Sequence, residues 1–294
     1  MQRFPSDAAM GEYLADRIAE VLRKKPDALL SIAAGTTSFP VFDALKRRVR
    51  AGELSFAQAG FFGMDEWCGL PQDADGAMAD FLRRHFLDEV DFKEVFLFDG
   101  MADPQAECAR AREFLSSRGG LDVIVFGIGV NGHVALNEPG ADPTLHAHVA
   151  QVAQVTAHVA QKYFEKKAPP LTMGVTIGLA DALDAGSVWL VANSPAKREA
   201  VEKLDGEREQ PRGRFVDSPL PAYPAREPSG PPAFWGKFQS AAQFPQEAEG
   251  FFDRLILPAA ELLRLSEAGA LRLPAEQLLP VLPRFTFDES GCPG

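Results

Sequence analysis

Apolar positions recur along this chain with two different periods. Between residues 7 and 24, Met10, Leu14, Ile18, Val21 and Leu22 fall on one helical face, with Ser6 placed to cap the first turn. A short apolar run follows, ALLSIAA (28–34), bounded by Pro26 and Gly35, and then a helical stretch from Pro40. The strand-like run returns in QAGFFGM (58–64), EVFLF (94–98), LDVIVFGIG (121–129), MGVTIG (173–178) and SVWLVAN (187–193). Helical stretches around 78–87, 103–117 and 195–204 are interleaved with these runs. Brief, continuously apolar strands alternating with helices predict an α/β protein: a three-layer αβα sandwich whose mostly parallel sheet is covered on both faces. In such a sheet ligands bind beyond the carboxyl ends of the strands, so candidate chemistry is sought there.

Past Gly206 the pattern changes. Residues 207–235 are rich in Pro, Arg and Ser and are expected to form a linker or a meandering cover. Residues 251–268 (FFDRLILPAAELLRLSEA) have helical character, with Pro258 placed to break or kink the helix. The chain thus divides into an α/β domain over 1–206 and an atypical Pro-rich and helical segment over 207–294.

Composition narrows the classes of function. The 294 residues, 46% hydrophobic, can bury a core that needs no disulfide, and the scattered Cys68, Cys108 and Cys292 read as reduced thiols. A net charge of −11 with no basic block argues against nucleic acid as a partner. It leaves room for an anionic metabolite, because a few N–H groups and one or two cations suffice to hold a phosphate. No run of about 18 apolar residues is present to span a membrane. The opening MQRFPSDAAM lacks a signal-peptide stretch, so a cytoplasmic location is expected.

Three loops carry candidate chemistry. Ala34-Gly35-Thr36-Thr37-Ser38 lies between a strand and a helix, a turn able to aim N–H groups and hydroxyls at one anion; the plain alternative is a βα turn in which Ser38 caps the helix. Gly63-Met64-Asp65-Glu66-Trp67 puts two adjacent carboxylates just after a strand, where one can act as a general base. Gly127-Ile-Gly-Val-Asn-Gly132 fits the dinucleotide-binding spacing, but no acidic residue follows about 20 positions later. Those glycines are better suited to close backbone approach to another ligand, and Gly132-His133-Val134-Ala135-Leu136-Asn137-Glu138-Pro139 follows directly. His146 and His148 stand one residue apart, but no further ligand cluster accompanies them and no metal is expected.

Taken in series, G-x-G-x-x-G-H-x-A-x-N-E-P, the M-D-E-aromatic loop and the Gly/Thr/Ser turn resemble the glucosamine-6-phosphate deaminase/isomerase family, the galactosamine-6-phosphate branch being equally close. The resemblance runs from about Leu29 to Leu204 and implies a Rossmann-like sandwich. It implies conversion of a hexosamine 6-phosphate to the ketose 6-phosphate and ammonia, without a cofactor; a homo-oligomer would fit the family. By the same resemblance Asp65 is the base that moves the C2 proton to C1, His133 opens the sugar ring, and Glu138 holds that imidazole. Gly35, Thr36, Thr37, Ser38, Glu66, Gly129 and Gly132 would contact the substrate. Lys197, with Lys162 where the family has arginine, would reach the phosphate.

Departures from the family pattern mark this chain. Asn131 stands where the deaminases have aspartate two residues before the histidine; it can hydrogen-bond but carries no charge, which leaves the C4 epimer open. Between Glu138 and Lys162 there is no Arg or Lys to hold an effector phosphate, so no allosteric activation by an N-acetylated sugar phosphate is expected. Residues after about Leu204 do not match the closing strand and helix of the family. Two other readings use the same residues: a 6-phosphogluconolactonase-like lactone hydrolase, although that sister family lacks N-E-P, and a sugar-phosphate sensor that binds without turnover.

Overall fold

The computed structural model describes residues 2–206 and 255–258. A two-residue strand β1 (Gln2–Arg3) precedes helix α1 (Asp7–Lys24). There follow β2 (Leu29–Ile32), α2 (Phe39–Arg50), β3 (Gly60–Phe62), β4 (Asp65–Trp67), α3 (Met78–His85), β5 (Glu94–Phe96), α4 (Pro104–Arg118) and β6 (Val123–Gly127). After β6 come β7 (His148–Gln151), α5 (Gln154–Ala160), β8 (Met173–Thr176), α6 (Leu179–Leu183), β9 (Ser187–Ala192), α7 (Arg198–Gly206) and β10 (Leu255–Pro258).

Helix α1 begins where its sequence directs. The Ser6 hydroxyl accepts the Ala9 N–H at 3.1 Å, Asp7 lies in the first turn, and Arg23 and Lys24 lie in the last, each charge favourable to the helix dipole. Its buried stripe contains Met10, Leu14, Ile18 and Leu22 as the spacing predicts. Helix α4 is bounded as clearly: Asp103 accepts the Ala106 N–H, Pro104 opens the first turn, and Gly119 closes the last with φ of 73°.

The main sheet has the order β1-β10-β9-β6-β2-β3-β5. Its five strands from β9 to β5 are parallel, and β10 and β1 continue the β9 side antiparallel. Along β6 the side chains alternate between two apolar layers. Val123 and Val125 join the core packed by α1, α2 and α3, whereas Ile124 and Phe126 join the core packed by α4, α6 and α7. Burial on both faces explains why these strands are uninterrupted apolar runs. No described helix is long and apolar enough to cross a membrane.

Two findings depart from the sequence expectation. Where it is described, the segment expected to be helical over 251–268 is a strand: Leu255–Pro258 lies between β9 and β1. Among the described residues β1 pairs with Leu255 and Ile256, and Pro258 is the last residue of β10, opposite Trp189 of β9. The expected linker over 207–235 and the rest of that helix lie outside the described residues. The second finding is a small antiparallel sheet, β4-β8-β7, that the alternation did not announce. MGVTIG is therefore a strand, as expected, but of this second sheet.

Candidate active site

The chain leaves β2 for β3 and β5 on one side, and it leaves β6 for β9 on the other. Neighbouring parallel strands β2 and β6 thus diverge at their carboxyl ends, the place where open α/β sheets leave a crevice. The Gly35–Ser38 turn follows β2, the His133 loop follows β6, Asp65 follows β3, and Lys197 follows β9. A Cβ built on Gly127 would lie 4.0 Å from the Thr37 Cβ, so the Gly35–Ser38 turn meets the end of β6 where the His133 loop begins.

Asp65 opens β4 opposite Thr176 of β8. Burial, then the charge of Glu66, pushes its carboxyl up to about 8, and among the described residues no group hydrogen-bonds it. Glu66 points the other way. Its side chain is fully buried; Oε1 accepts the N–H groups of Trp67 and Met78, and Oε2 accepts that of Ala79. Burial raises this carboxyl to about 7 against the pull of those three donors. Expected as a substrate contact, Glu66 is instead the cap of α3, with its oxygens occupied and none of its surface open to a ligand.

The His133 loop is built as one unit. A Cβ on Gly129 would fall 2.1 Å from His133 Nδ1, so only glycine leaves space for the ring. Gly132, with φ of 96°, turns the chain back so that its N–H reaches the Gly129 carbonyl. Both glycines shape the loop around the imidazole. Glu138 Oε2 accepts from Asn131 Nδ2 at 2.8 Å, which turns the Asn131 carbonyl oxygen toward His133 Nδ1, 2.7 Å away. With that oxygen as acceptor, Nδ1 carries the proton and Nε2 keeps the lone pair. Glu138 Oε2 is 3.9 Å from Nδ1, and Oε1 accepts the Ala153 N–H that leads into α5. Burial outweighs the Glu138 charge, and with Lys197 opposing protonation too, the imidazole is held down at about 4.

The end of β8 joins these two groups. Ile177 N donates to the Met64 carbonyl at 2.8 Å, next to Asp65. Leu136 N donates to Thr176 Oγ1, and Asn137 Nδ2 donates to the carbonyls of Ile177 and Val134, within the His133 loop. Ala135, at φ of 50°, is the only non-glycine residue with positive φ among those described, and it lies at the tip of this turn.

At the other end of the crevice, Thr36 is exposed and Gly35 and Thr37 are half-buried. Ser38 departs from expectation: it is buried, donates its hydroxyl proton to the Ala33 carbonyl at 2.6 Å, and makes no cap bond to α2. The proton a phosphate oxygen would need is therefore already placed. Lys197 donates to the Ile128 carbonyl; burial, then the neighbouring Lys162 charge, lowers its ammonium to about 8. Lys162 is exposed, with Nζ 4.9 Å from the centre of the Tyr163 ring. His146 and His148 turn Nδ1 to Asp181 and to the His146 carbonyl, respectively.

A family model described as glucosamine-6-phosphate isomerases/6-phosphogluconolactonase matches residues 6–223. The chain belongs to this family. Within the glucosamine-6-phosphate isomerase/6-phosphogluconolactonase family it is 37% identical to glucosamine-6-phosphate deaminase 1 of Giardia intestinalis over 194 residues, 65% of this chain and 73% of that protein. It is 30% identical to the glucosamine-6-phosphate deaminase of Bacillus pumilus over 205 residues, 69% of this chain and 85% of that one. Among solved structures it is similar to a monomeric glucosamine-6-phosphate deaminase, with a TM-score of 0.66 and 27% identity across 70% of this chain and 86% of that one. The family's lactonase fold is also close: the 6-phosphogluconolactonase of Thermotoga maritima superposes with a TM-score of 0.56 at 17% identity, over 70% and 88% of the two chains.

Two residues at the site were missed in the sequence. The buried Thr156 of α5 brings Oγ1 to 3.1 Å from His133 Nδ1, and Tyr163 Oη accepts the Thr36 N–H at 3.4 Å. A threonine inside a helical pattern gives no signal. For Tyr163 the one hint was its place beside Lys162.

Proposed function

We propose that this chain is a hexosamine-6-phosphate deaminase and aldose–ketose isomerase, converting glucosamine or galactosamine 6-phosphate to the ketose 6-phosphate and ammonia. The observation that carries this reading is a half-buried carboxyl, Asp65, without a hydrogen-bond partner among the described residues and tied through Thr176 and Ile177 to a histidine whose tautomer is fixed. A sensor has no use for such a base.

The reaction divides among these groups as proton transfers, so the chemistry calls for no cofactor. The neutral His133 takes the O1 proton of the ring form at Nε2 and returns it to O5, which breaks the C1–O5 bond and frees the aldehyde. Ionised Asp65 removes the C2 proton; the electron pair forms the C1–C2 double bond while the C1–O1 π pair moves to O1, which takes up a proton released by the C2 ammonium, giving an enol-amine. The same carboxyl then delivers its proton to C1 as the nitrogen lone pair forms the C2 iminium. The resulting C2 iminium adds water and expels ammonia, leaving the ketone. Asn131 and Glu138 keep His133 in the tautomer that presents Nε2. The N–H groups of the Gly35–Thr37 turn, at the positive end of α2, hold the phosphate together with Lys197 and Lys162.

A small anionic substrate, with no nucleic-acid partner, suits an acidic chain whose local cations face one crevice, and a cytoplasmic site of action fits such a metabolite. The reading is tested by incubating the full chain with glucosamine 6-phosphate and with galactosamine 6-phosphate while ammonia and ketose 6-phosphate are measured together. Equal amounts of both products from one sugar support the reading and name the epimer. Products from neither sugar would overturn it.

A further inference from the structure

We propose that the Tyr163 hydroxyl is a ligand of the substrate's phosphoryl group, joining the Gly35–Thr37 turn and the two lysines; the identity of that phosphate ester rests on the deaminase reading above. Tyr163 ends the short 3-10 turn Gln161–Tyr163 that follows α5. Its oxygen accepts the Thr36 N–H at 3.4 Å, the long limit for such a bond. The same oxygen is 3.2 Å from where a Cβ on Gly35 would be. The hydroxyl therefore lies over the Gly35–Thr36 peptide, where an anion held by this turn would rest.

Donors gather at this point. The Tyr163 hydroxyl proton meets no acceptor among the described residues, and among them no carboxylate pairs with Lys162 or Lys197. A Thr36 N–H held at long range, a free O–H and two ammonium groups form a donor set in want of an oxyanion. Lys162 Nζ stands 4.9 Å from the Tyr163 ring centre, so the ring also steadies the cation beside the turn. The ring itself is braced edge-on against Phe81, with centroids 5.7 Å apart at 81°. A small cleft, lined in part by Ala34, Trp67, Asp80, Phe81, Arg84 and Tyr163, opens next to it. A phosphate oxygen entering there accepts the Tyr163 proton and takes over the Thr36 N–H, a shift of partner that needs no change of fold.

The test is Tyr163→Phe, which keeps the ring, its contact with Phe81 and the cation above it while removing one hydroxyl. Two quantities are measured on the full chain: the Kd of inorganic phosphate by calorimetry, and kcat and KM for the hexosamine 6-phosphate. A hydrogen bond to a charged group predicts that Kd and KM each rise about tenfold. With kcat within about twofold, that is the signature of lost ground-state binding. Phosphate Kd unchanged within about twofold would overturn the proposal, as would failure of the wild-type chain to bind phosphate at all. The deaminase reading fails separately, when phosphate binds but no ammonia is released, and the change in Kd then still decides the role of Tyr163.

Discussion

At Asn131 a neutral side chain does two jobs at once: Nδ2 satisfies Glu138 at 2.8 Å and Oδ1 orients His133 at 2.7 Å. Restoring the family's aspartate in Asn131→Asp puts a negative charge against Nδ1, which favours the imidazolium. The His133 midpoint, followed by NMR of the ring C–H, should then rise from about 4 to above about 5; an unmoved midpoint would show that burial alone sets it. Asp65 poses the opposite case. Its folded pKa of about 8 lies above the ordinary value of 3.8, so the folded state resists ionisation that the unfolded chain accepts freely. Stability contributed by the protonated carboxyl is fully present below about 4 and is lost as pH rises through about 8. Asp65→Asn has no charge to bury. It should therefore unfold at higher denaturant than the wild type at pH 8, by at least about 1 kcal/mol, the gap closing near pH 4. An equal gap at both pH values would contradict the assigned environment. Asp65, His133 and Glu138 stand out in the sequence as residue types within motifs, and the roles proposed for them start from there, whereas the way Asn131 couples the last two depends on side-chain directions that no spacing encodes.

Among the elements, helix α2 has to deliver its N-terminus to the crevice, and its packing on α1 sets where that end lies. A Cβ on Gly11 of α1 would come within 2.2 Å of the Pro40 carbonyl oxygen, a backbone atom in the first turn of α2. Gly11→Ala must push the two helices apart, although alanine is the better helix former. We expect a net loss of about 1–3 kcal/mol by denaturant titration, the overpacking term exceeding the propensity gain. A variant as stable as the wild type would mean that the helices slide freely. Helix α3 is placed by Glu66, which shows why adjacent acids could not be sorted from sequence: one carboxyl faces the crevice and its neighbour caps a helix 12 residues on. Strands β2, β3, β6 and β9 were legible because burial on both faces makes them almost entirely apolar. The second sheet was not, because DEW and HVAQ are short, mix polar with apolar residues, and gain their order only from pairing with β8.

On the scale of the whole molecule, the fold brings loops from distant parts of the chain to the carboxyl ends of β2, β3, β6 and β9, and divides the labour along one crevice. Positive donors gather at the α2 end, and Asp65 and His133 lie where β8 meets the His133 loop. The net charge of −11 makes this local concentration of cations the more telling, since it runs against the balance of the chain. The central claim is that Asp65 moves a carbon-bound proton of a hexosamine 6-phosphate. Ammonia release from the preferred epimer, wild type against Asp65→Asn, tests it most directly. The account predicts steady release by the wild type and a fall of about 10²–10⁴ in the variant, with phosphate still bound. A variant that keeps activity within about tenfold of the wild type would contradict it, because the asparagine amide cannot accept the C2 proton.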